Sequence, residues 1–128
     1  MNKNLTAPNE DYLERIYELL AEKGYARVTD IAERLEVKPA SVTMMLKKLE
    51  QSGHITRESY RGFALTSKGR GVALGIRKRH QILDEFLHLL NLPQRIIDKD
   101  IEGLEHYLSR ETLTKLERLV HRLKKNDS

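Results

Sequence analysis

Residues 26–58 read "ARVTDIAERLEVKPASVTMMLKKLEQSGHITRE", and this stretch decides the fold. Its second half carries Val42, Met45, Leu46 and Leu49 at i, i+3, i+4 and i+7, so the spacing predicts a helix with one buried face. Pro39 stands in the first turn of that helix, where a missing N–H leaves no hydrogen bond unmade. Ser52 and Gly53 close it. Upstream, Thr29 is placed to cap a short helix carrying Ile31, Ala32 and Leu35, and "EVKP" breaks the chain tightly between the two. Two short helices around a tight turn form a helix–turn–helix.

After Gly53 the period changes. "HITRE", "YRG" and "FALT" predict two short strands around a turn containing Gly62. A helix–turn–helix followed by a hairpin is a winged helix, and the combination is more specific than either half. Working outward, a first helix is expected from about Asn9, its cap, to Glu22. Its stripe is Tyr12, Leu13, Ile16, Leu19 and Leu20, and Gly24 ends it. Downstream, Thr66-Ser67 opens a long helix to about Leu90 with Val72, Ile76, Leu83, Phe86, Leu87 and Leu90 as apolar positions. Pro93 starts another helix to about Leu108. Ser109 caps the last, with Glu111 and Thr112 in its first turn. The expected fold is mainly α with a small β-hairpin wing: an N-terminal winged helix-turn-helix over residues 1–78, then a helical domain over residues 79–128.

The 128 residues suit one domain or one with a helical appendage. Cysteine is absent, so there is no disulfide and no thiolate ligand, which fits a cytoplasmic protein. No apolar run approaches the ~18 residues of a membrane span, and the first residues lack a signal-peptide pattern. No membrane partner is expected. The net charge of +4 is unevenly spread. Residues 38–79 hold ten Lys or Arg (Lys38, Lys47, Lys48, Arg57, Arg61, Lys68, Arg70, Arg77, Lys78, Arg79) against Glu50 and Glu58, which is +8. The remainder has thirteen bases against seventeen acids, which is −4. A basic middle with acidic flanks points to a polyanion bound at one place.

A winged helix reads double-stranded DNA with its second helix in the major groove. With Val42, Met45, Leu46 and Leu49 inside, Pro39, Ala40, Ser41, Thr43, Met44, Lys47 and Lys48 face outward, next to Lys38. Ser41 and Thr43 are suited to hydrogen-bond base edges or phosphates, and the methyl groups of Ala40 and Thr43 to meet thymine methyls. Lys47 and Lys48 suit phosphates, as do Arg57 and Arg61 in the hairpin. The apolar stripes of the later helices exceed what one small domain covers. A homodimer reading two half-sites is expected.

A second stretch, "IEGLEHYL" at 101–108, is unusual for its donors. On a helical wheel with Ile101 at 0°, the apolar Ile97, Leu104 and Leu108 fall within about 60°, Glu105 near 40°, Glu102 near 100° and His106 near 140°. Glu105 therefore borders the core stripe, where a carboxylate is costly unless it is paired or metal-bound. His80 falls in the apolar series of the long helix and reads either as a satisfied core histidine or as a ligand. Asp11 and Glu14 are one turn apart, opposite the apolar face of the first helix, and read either as solvated acids or as ligands. His54, His88 and His121 read as surface or packing residues.

The segments "EDYLERIYEL", "GYARVTDIAERLEVKPASVTMMLKKLE", "YRGFALTSKG", "RHQILDEFL" and "DIEGLEHYLS" occur in the order found in the diphtheria-toxin-repressor family of metal-dependent winged-helix repressors, which this sequence resembles from about Glu10 to Ser109. The resemblance is to the family's manganese branch. It implies a helical dimerisation and metal-binding domain in residues 79–128. It implies that Asp11, Glu14, His80, Glu102, Glu105 and His106 are metal ligands, holding two neighbouring Mn²⁺ ions per subunit with bridging carboxylates. Asp11 and Glu102 stand where the iron-responsive branch is expected to carry Met and Cys. Four carboxylates and two imidazoles form a hard, oxygen-rich set suited to Mn²⁺. The implied function is a manganese-responsive regulator that binds operator DNA as a homodimer and represses manganese uptake genes. Iron- or zinc-responsive repression, or a metal-independent winged-helix regulator, are the alternatives. No small-molecule substrate is expected. An enzyme is not expected either, since every candidate ligand is needed for coordination and no separate nucleophile is evident.

Overall fold

A computed structural model describes residues 5–126. Among these residues the chain forms six helices and one antiparallel hairpin: α1 (Ala7–Lys23), α2 (Val28–Leu35), α3 (Pro39–Gln51), β1 (Ile55–Glu58), β2 (Gly62–Leu65), α4 (Ser67–Leu89), α5 (Gln94–Tyr107) and α6 (Arg110–Asn126). It divides into two compact units, Met1–Gly75 and Ile76–Ser128, with the division inside α4. The domain limits expected at residues 1 and 128 lie outside the described residues.

In the first unit, α1 begins earlier than the sequence predicts. Thr6, not Asn9, is its cap: the Thr6 hydroxyl accepts the Asn9 N–H at 3.4 Å, and Pro8 fits the first turn. Gly24 ends α1 in the left-handed region at φ 81°, its N–H bonding to the Leu20 carbonyl. The cap of α2 is Arg27 rather than Thr29. The Asp30 carboxylate reaches back to accept the Arg27 N–H at 3.1 Å, and Thr29 sits inside the first turn. Pro39 opens α3, and Val42, Leu46 and Leu49 are its buried residues, with Met45 half-buried. They meet Leu13, Ile16 and Leu19 of α1, Ile31 of α2, Ile55 and Phe63 of the hairpin, and Val72 and Ala73 of α4 in one core. Each large side chain so buried contributes about 1.5–3 kcal/mol.

The hairpin pairs Ile55 with Leu65 and Glu58 with Gly62, so Gly62 belongs to β2 and the turn is Ser59-Tyr60-Arg61. Gly62 is at φ 81°, and a Cβ there would overlap the Ala26 carbonyl. The approach is that close because Ala26 pairs with the outer edge of β2. Its N–H donates to Arg61 O at 2.8 Å, and its carbonyl accepts from Phe63 N at 2.9 Å. The wing is thereby held to the connector between α1 and α2.

At its other end the wing is tied to the junction of α3 and α4. Thr66 Oγ1 donates to Gly53 O at 2.6 Å, Thr66 N to His54 O at 3.1 Å, and Lys68 Nζ to Ser52 O at 3.1 Å. Gly69 lies directly against the His54 carbonyl. His54 is 3% exposed, its Nδ1 is 2.6 Å from Ser52 Oγ, and its Nε2 meets no hydrogen-bond partner among the described residues.

In the second unit, Asn91 at φ 60° and Pro93, the N-cap of α5, turn the chain after α4. Ser109 Oγ accepts Thr112 N–H at 3.1 Å and opens α6. Leu83 and Leu87 of α4 pack with Ile97 and Ile101 of α5, bordered by Phe86, Leu92, Leu108 and Leu116. Leu90, expected in the stripe of the long helix, lies just past its end and is exposed.

Two stability predictions come from the α3–α4 junction. A Cβ at Gly69 has only backbone to push against, so Gly69→Ala should lower the unfolding free energy by about 2–3 kcal/mol. Gly71→Ala, two residues on and on the exposed side of the helix with nothing close, should raise it by about 0.5–1 kcal/mol. Urea midpoints measure both. Burial, followed by the charge of Lys68, holds the His54 imidazole below the ordinary histidine pKa. Its neutral form therefore contributes stability that is complete above about pH 6.5 and is lost as pH falls through the depressed value. In chelator, the drop in urea midpoint from pH 7 to pH 5 should be smaller for His54→Phe than for wild type; equal drops would remove His54 from the account.

Candidate metal centre and nucleic-acid interface

The face of α3 opposite its core stripe is polar and small. Lys38, Pro39, Ala40, Ser41, Thr43, Met44, Lys47 and Lys48 are all exposed, Met44 by 66%. Thr43 differs from the expected donor: its O–H donates to Pro39 O at 3.1 Å, so the hydrogen is engaged within the helix while the oxygen still accepts. In the hairpin, Arg57 and Arg61 are exposed. Arg57 Nε is 3.3 Å from Glu50 Oε1 and its guanidinium lies 5.2 Å from the Phe63 ring centroid. An exposed pair of this kind is worth about 0–1 kcal/mol, weak enough for a phosphate to displace. Two other basic residues of the +8 segment have structural partners: Lys68 bonds the end of α3, and the Arg70 guanidinium lies 5.6 Å over the Tyr17 ring.

The second unit brings three of the candidate ligands together. Glu105, on the last turn of α5, is 5% exposed. Its Oε2 lies 3.1 Å from His80 Nδ1 and its Oε1 lies 3.7 Å from His106 Nε2. The His106 side chain is only 4% exposed, although the wheel set it furthest from the stripe. The His80 side chain is 49% exposed, so it is no core histidine. Glu102 sits one turn before Glu105 and is exposed. Arg79, which sequence reasoning passed over, fixes this turn of α5. Its guanidinium donates to Glu105 O at 3.2 Å and to Leu108 O at 2.7 Å, capping carbonyls that the helix leaves open. The only sequence signal was a basic residue directly before His80. Both oxygens of a buried carboxylate thus face imidazoles, and all of these atoms are of the kind that holds a divalent cation.

In the first unit, α1 carries the other two candidates. Asp11 is half-buried. Glu14 is 5% exposed, so of the two readings open to it the solvated acid does not hold. Glu14 Oε1 accepts from Arg15 NH2 at 2.8 Å, and Arg15 NH1 donates to Glu18 Oε1 at 2.8 Å. A second carboxylate withdrawn from water is therefore charge-compensated by its neighbour in sequence.

Comparison with known proteins accounts for both units. A family model described as "Iron dependent repressor, N-terminal DNA binding domain" matches residues 4–63, and "Iron dependent repressor, metal binding and dimerisation domain" matches residues 66–128. The HTH-type transcriptional regulator MntR of Shouchella clausii (strain KSM-K16) is 45% identical over 123 residues, 96% of this chain and 86% of that protein. The protein of the same name from Bacillus subtilis (strain 168) is 43% identical over 125 residues, 97% of this chain and 88% of that one. Among solved structures, the manganese regulator SloR superposes with a TM-score of 0.80 at 30% identity, over 91% of this chain and 55% of that chain. ScaR with bound Zn²⁺ gives a TM-score of 0.80 at 30% identity, over 88% and 53%. This chain spans about half the length of those two solved relatives. On matches that run through both units, the chain belongs to the iron-dependent (diphtheria-toxin) repressor family of winged-helix transcriptional regulators, with an N-terminal DNA-binding domain and a C-terminal metal-binding and dimerisation domain.

Proposed function

We propose that this chain is a manganese-responsive transcriptional repressor, a cytoplasmic homodimer that binds double-stranded operator DNA when loaded with Mn²⁺ and represses manganese uptake genes. The observation that carries the reading is the buried Glu105 carboxylate between His80 and His106, in a chain that also bears a winged helix and resembles the manganese regulator SloR. Asp11, Glu14, His80, Glu102, Glu105 and His106 would hold two Mn²⁺ per subunit. The donor chemistry fits: oxygen and imidazole nitrogen, with no sulfur. The winged helix-turn-helix of residues 1–78 reads DNA, and residues 79–128 bind metal and dimerise.

When bound, the divalent ions supply positive charge that compensates the carboxylates and joins the helices that carry them. The residues do the rest. Four carboxylates left together repel one another and favour looser arrangements. Arg15 offsets the charge of Glu14, and Arg79 holds the turn that carries Glu105 and His106. Fixing these helices selects the spacing of the two reading helices that fits the operator. On DNA, Lys38, Lys47, Lys48, Arg57 and Arg61 meet phosphates. Pro39, Ala40, Ser41, Thr43 and Met44 face base edges. In this reading every candidate ligand is engaged in coordination, and the metal centre regulates rather than catalyses.

Operator binding titrated separately with Mn²⁺, Fe²⁺, Zn²⁺ and Co²⁺ should give its strongest response with Mn²⁺; a stronger response to Fe²⁺ or Zn²⁺ would move the assignment to that metal. The double variant Glu105→Ala, His106→Ala should lose the metal dependence of operator binding, whereas unchanged binding would identify a metal-independent regulator. By reciprocity, operator DNA should tighten Mn²⁺ binding, and equal affinity with and without DNA would sink the coupling. Removing one phosphate contact, Lys47→Ala or Arg61→Ala, should lower affinity across sequences and reduce the log–log salt slope by about 1.

A further inference from the structure

We infer that Tyr60 is a DNA-backbone contact at the tip of the wing, its phenol O–H donating to a phosphate oxygen, and that Arg27 is the positioning residue that aims it; the inference rests on the DNA-binding reading above. Tyr60 is 91% exposed, more than any other large hydrophobic side chain among the described residues. Its ring therefore gains nothing from packing.

Its backbone gives it no reason to be there either. Tyr60 lies at φ 71°, in the left-handed region that favours glycine or asparagine and disfavours an aromatic by about 1–3 kcal/mol. The two other non-glycine residues with positive φ, Glu36 and Asn91, follow the ends of helices α2 and α4, where that conformation closes the last turn. Tyrosine at the hairpin tip is thus a conformational liability that no packing of its side chain offsets, and its ring and hydroxyl face outward.

The surroundings indicate the partner. Arg61 follows directly and Arg57 lies across on β1, both exposed, against the single acid Glu58 of that strand. A cation-rich tip with a neutral O–H donor matches a sugar–phosphate backbone, where tyrosine is a regular donor. The tip is also held still. Arg27 NH2 donates to Tyr60 O at 2.9 Å while the same guanidinium lies 4.4 Å over the Tyr25 ring. Together with the pairing of Ala26 to β2, this anchors the left-handed residue from the connector ahead of α2.

The test uses the full-length Mn²⁺-loaded protein and a duplex that the wild type enriches from a random-sequence pool. Tyr60→Phe, which removes only the hydroxyl, should weaken binding about three- to tenfold. Tyr60→Gly should weaken it at least as much while leaving the urea midpoint unchanged or higher, because glycine relieves the φ strain. Phosphate ethylation should reveal one phosphate whose modification weakens wild type but not Tyr60→Phe. Arg27→Ala should reduce affinity and Arg27→Lys, which still donates to the carbonyl, should restore part of it. Tyr60→Phe and Tyr60→Gly binding like wild type, or an unchanged ethylation pattern, overturns the inference. A pool that enriches equally with and without Mn²⁺ overturns the manganese reading alone, and the Tyr60 comparison then runs on that duplex. A pool that enriches no duplex overturns both.

Discussion

A carboxylate withdrawn from water has to find a cation, a proton or a metal, because the low-dielectric interior makes a lone charge far more costly than any single contact can offset. Glu105 imposes that constraint on the second unit. It sits at the end of α5, where the helix leaves carbonyls unpaired and its dipole is negative, which is an unfavourable place for another negative charge. Arg79 answers the first problem by bonding the carbonyls of Glu105 and Leu108. The imidazoles of His80 and His106 face the carboxylate itself. An arrangement built this way holds oxygen and nitrogen donor atoms close together at the end of one helix.

The basic half of the chain divides its charge between two tasks. Lys68 and Arg70 act inside the fold, one on the end of α3 and one on an aromatic ring. Lys47, Lys48 and Arg61 stand on exposed surface. The charge excess of a segment therefore overstates the number of groups available to a polyanion, and the share held by internal partners emerges only from contacts.

Much of this was legible because it is periodic or punctuated. The stripe of Val42, Leu46 and Leu49, Pro39 at one end and Gly53 at the other define the reading helix with local information alone. The switch to a period of two announces the hairpin. Glu105 was legible too, because a wheel places it beside Ile101. The helix caps were misread for a simple physical reason. Caps are made by any of several polar residues within a few positions, so Thr6 and Arg27 with Asp30 took roles assigned to Asn9 and Thr29. The burial of Glu14 and the exposure of His80 depend on which elements tertiary packing brings over a helix face, and a wheel does not encode that. Tyr60 left no signal at all, since a left-handed backbone at a tyrosine has no signature in composition or spacing.

The pairing of Ala26 with β2 has a mechanical meaning. Only the residues from Gly24 to Arg27 separate α1 from α2, and the middle of that connector behaves as a third, one-residue strand of the wing. Slack between α1 and the wing is thereby removed: a displacement of the helix that bears Asp11 and Glu14 cannot dissipate in a loose loop, because the loop is already hydrogen-bonded to the hairpin. The first unit is braced at two points, Ala26 on one side of the hairpin and the His54–Thr66 junction on the other, so that hydrogen bonds tie the wing both to the connector after α1 and to the end of α3.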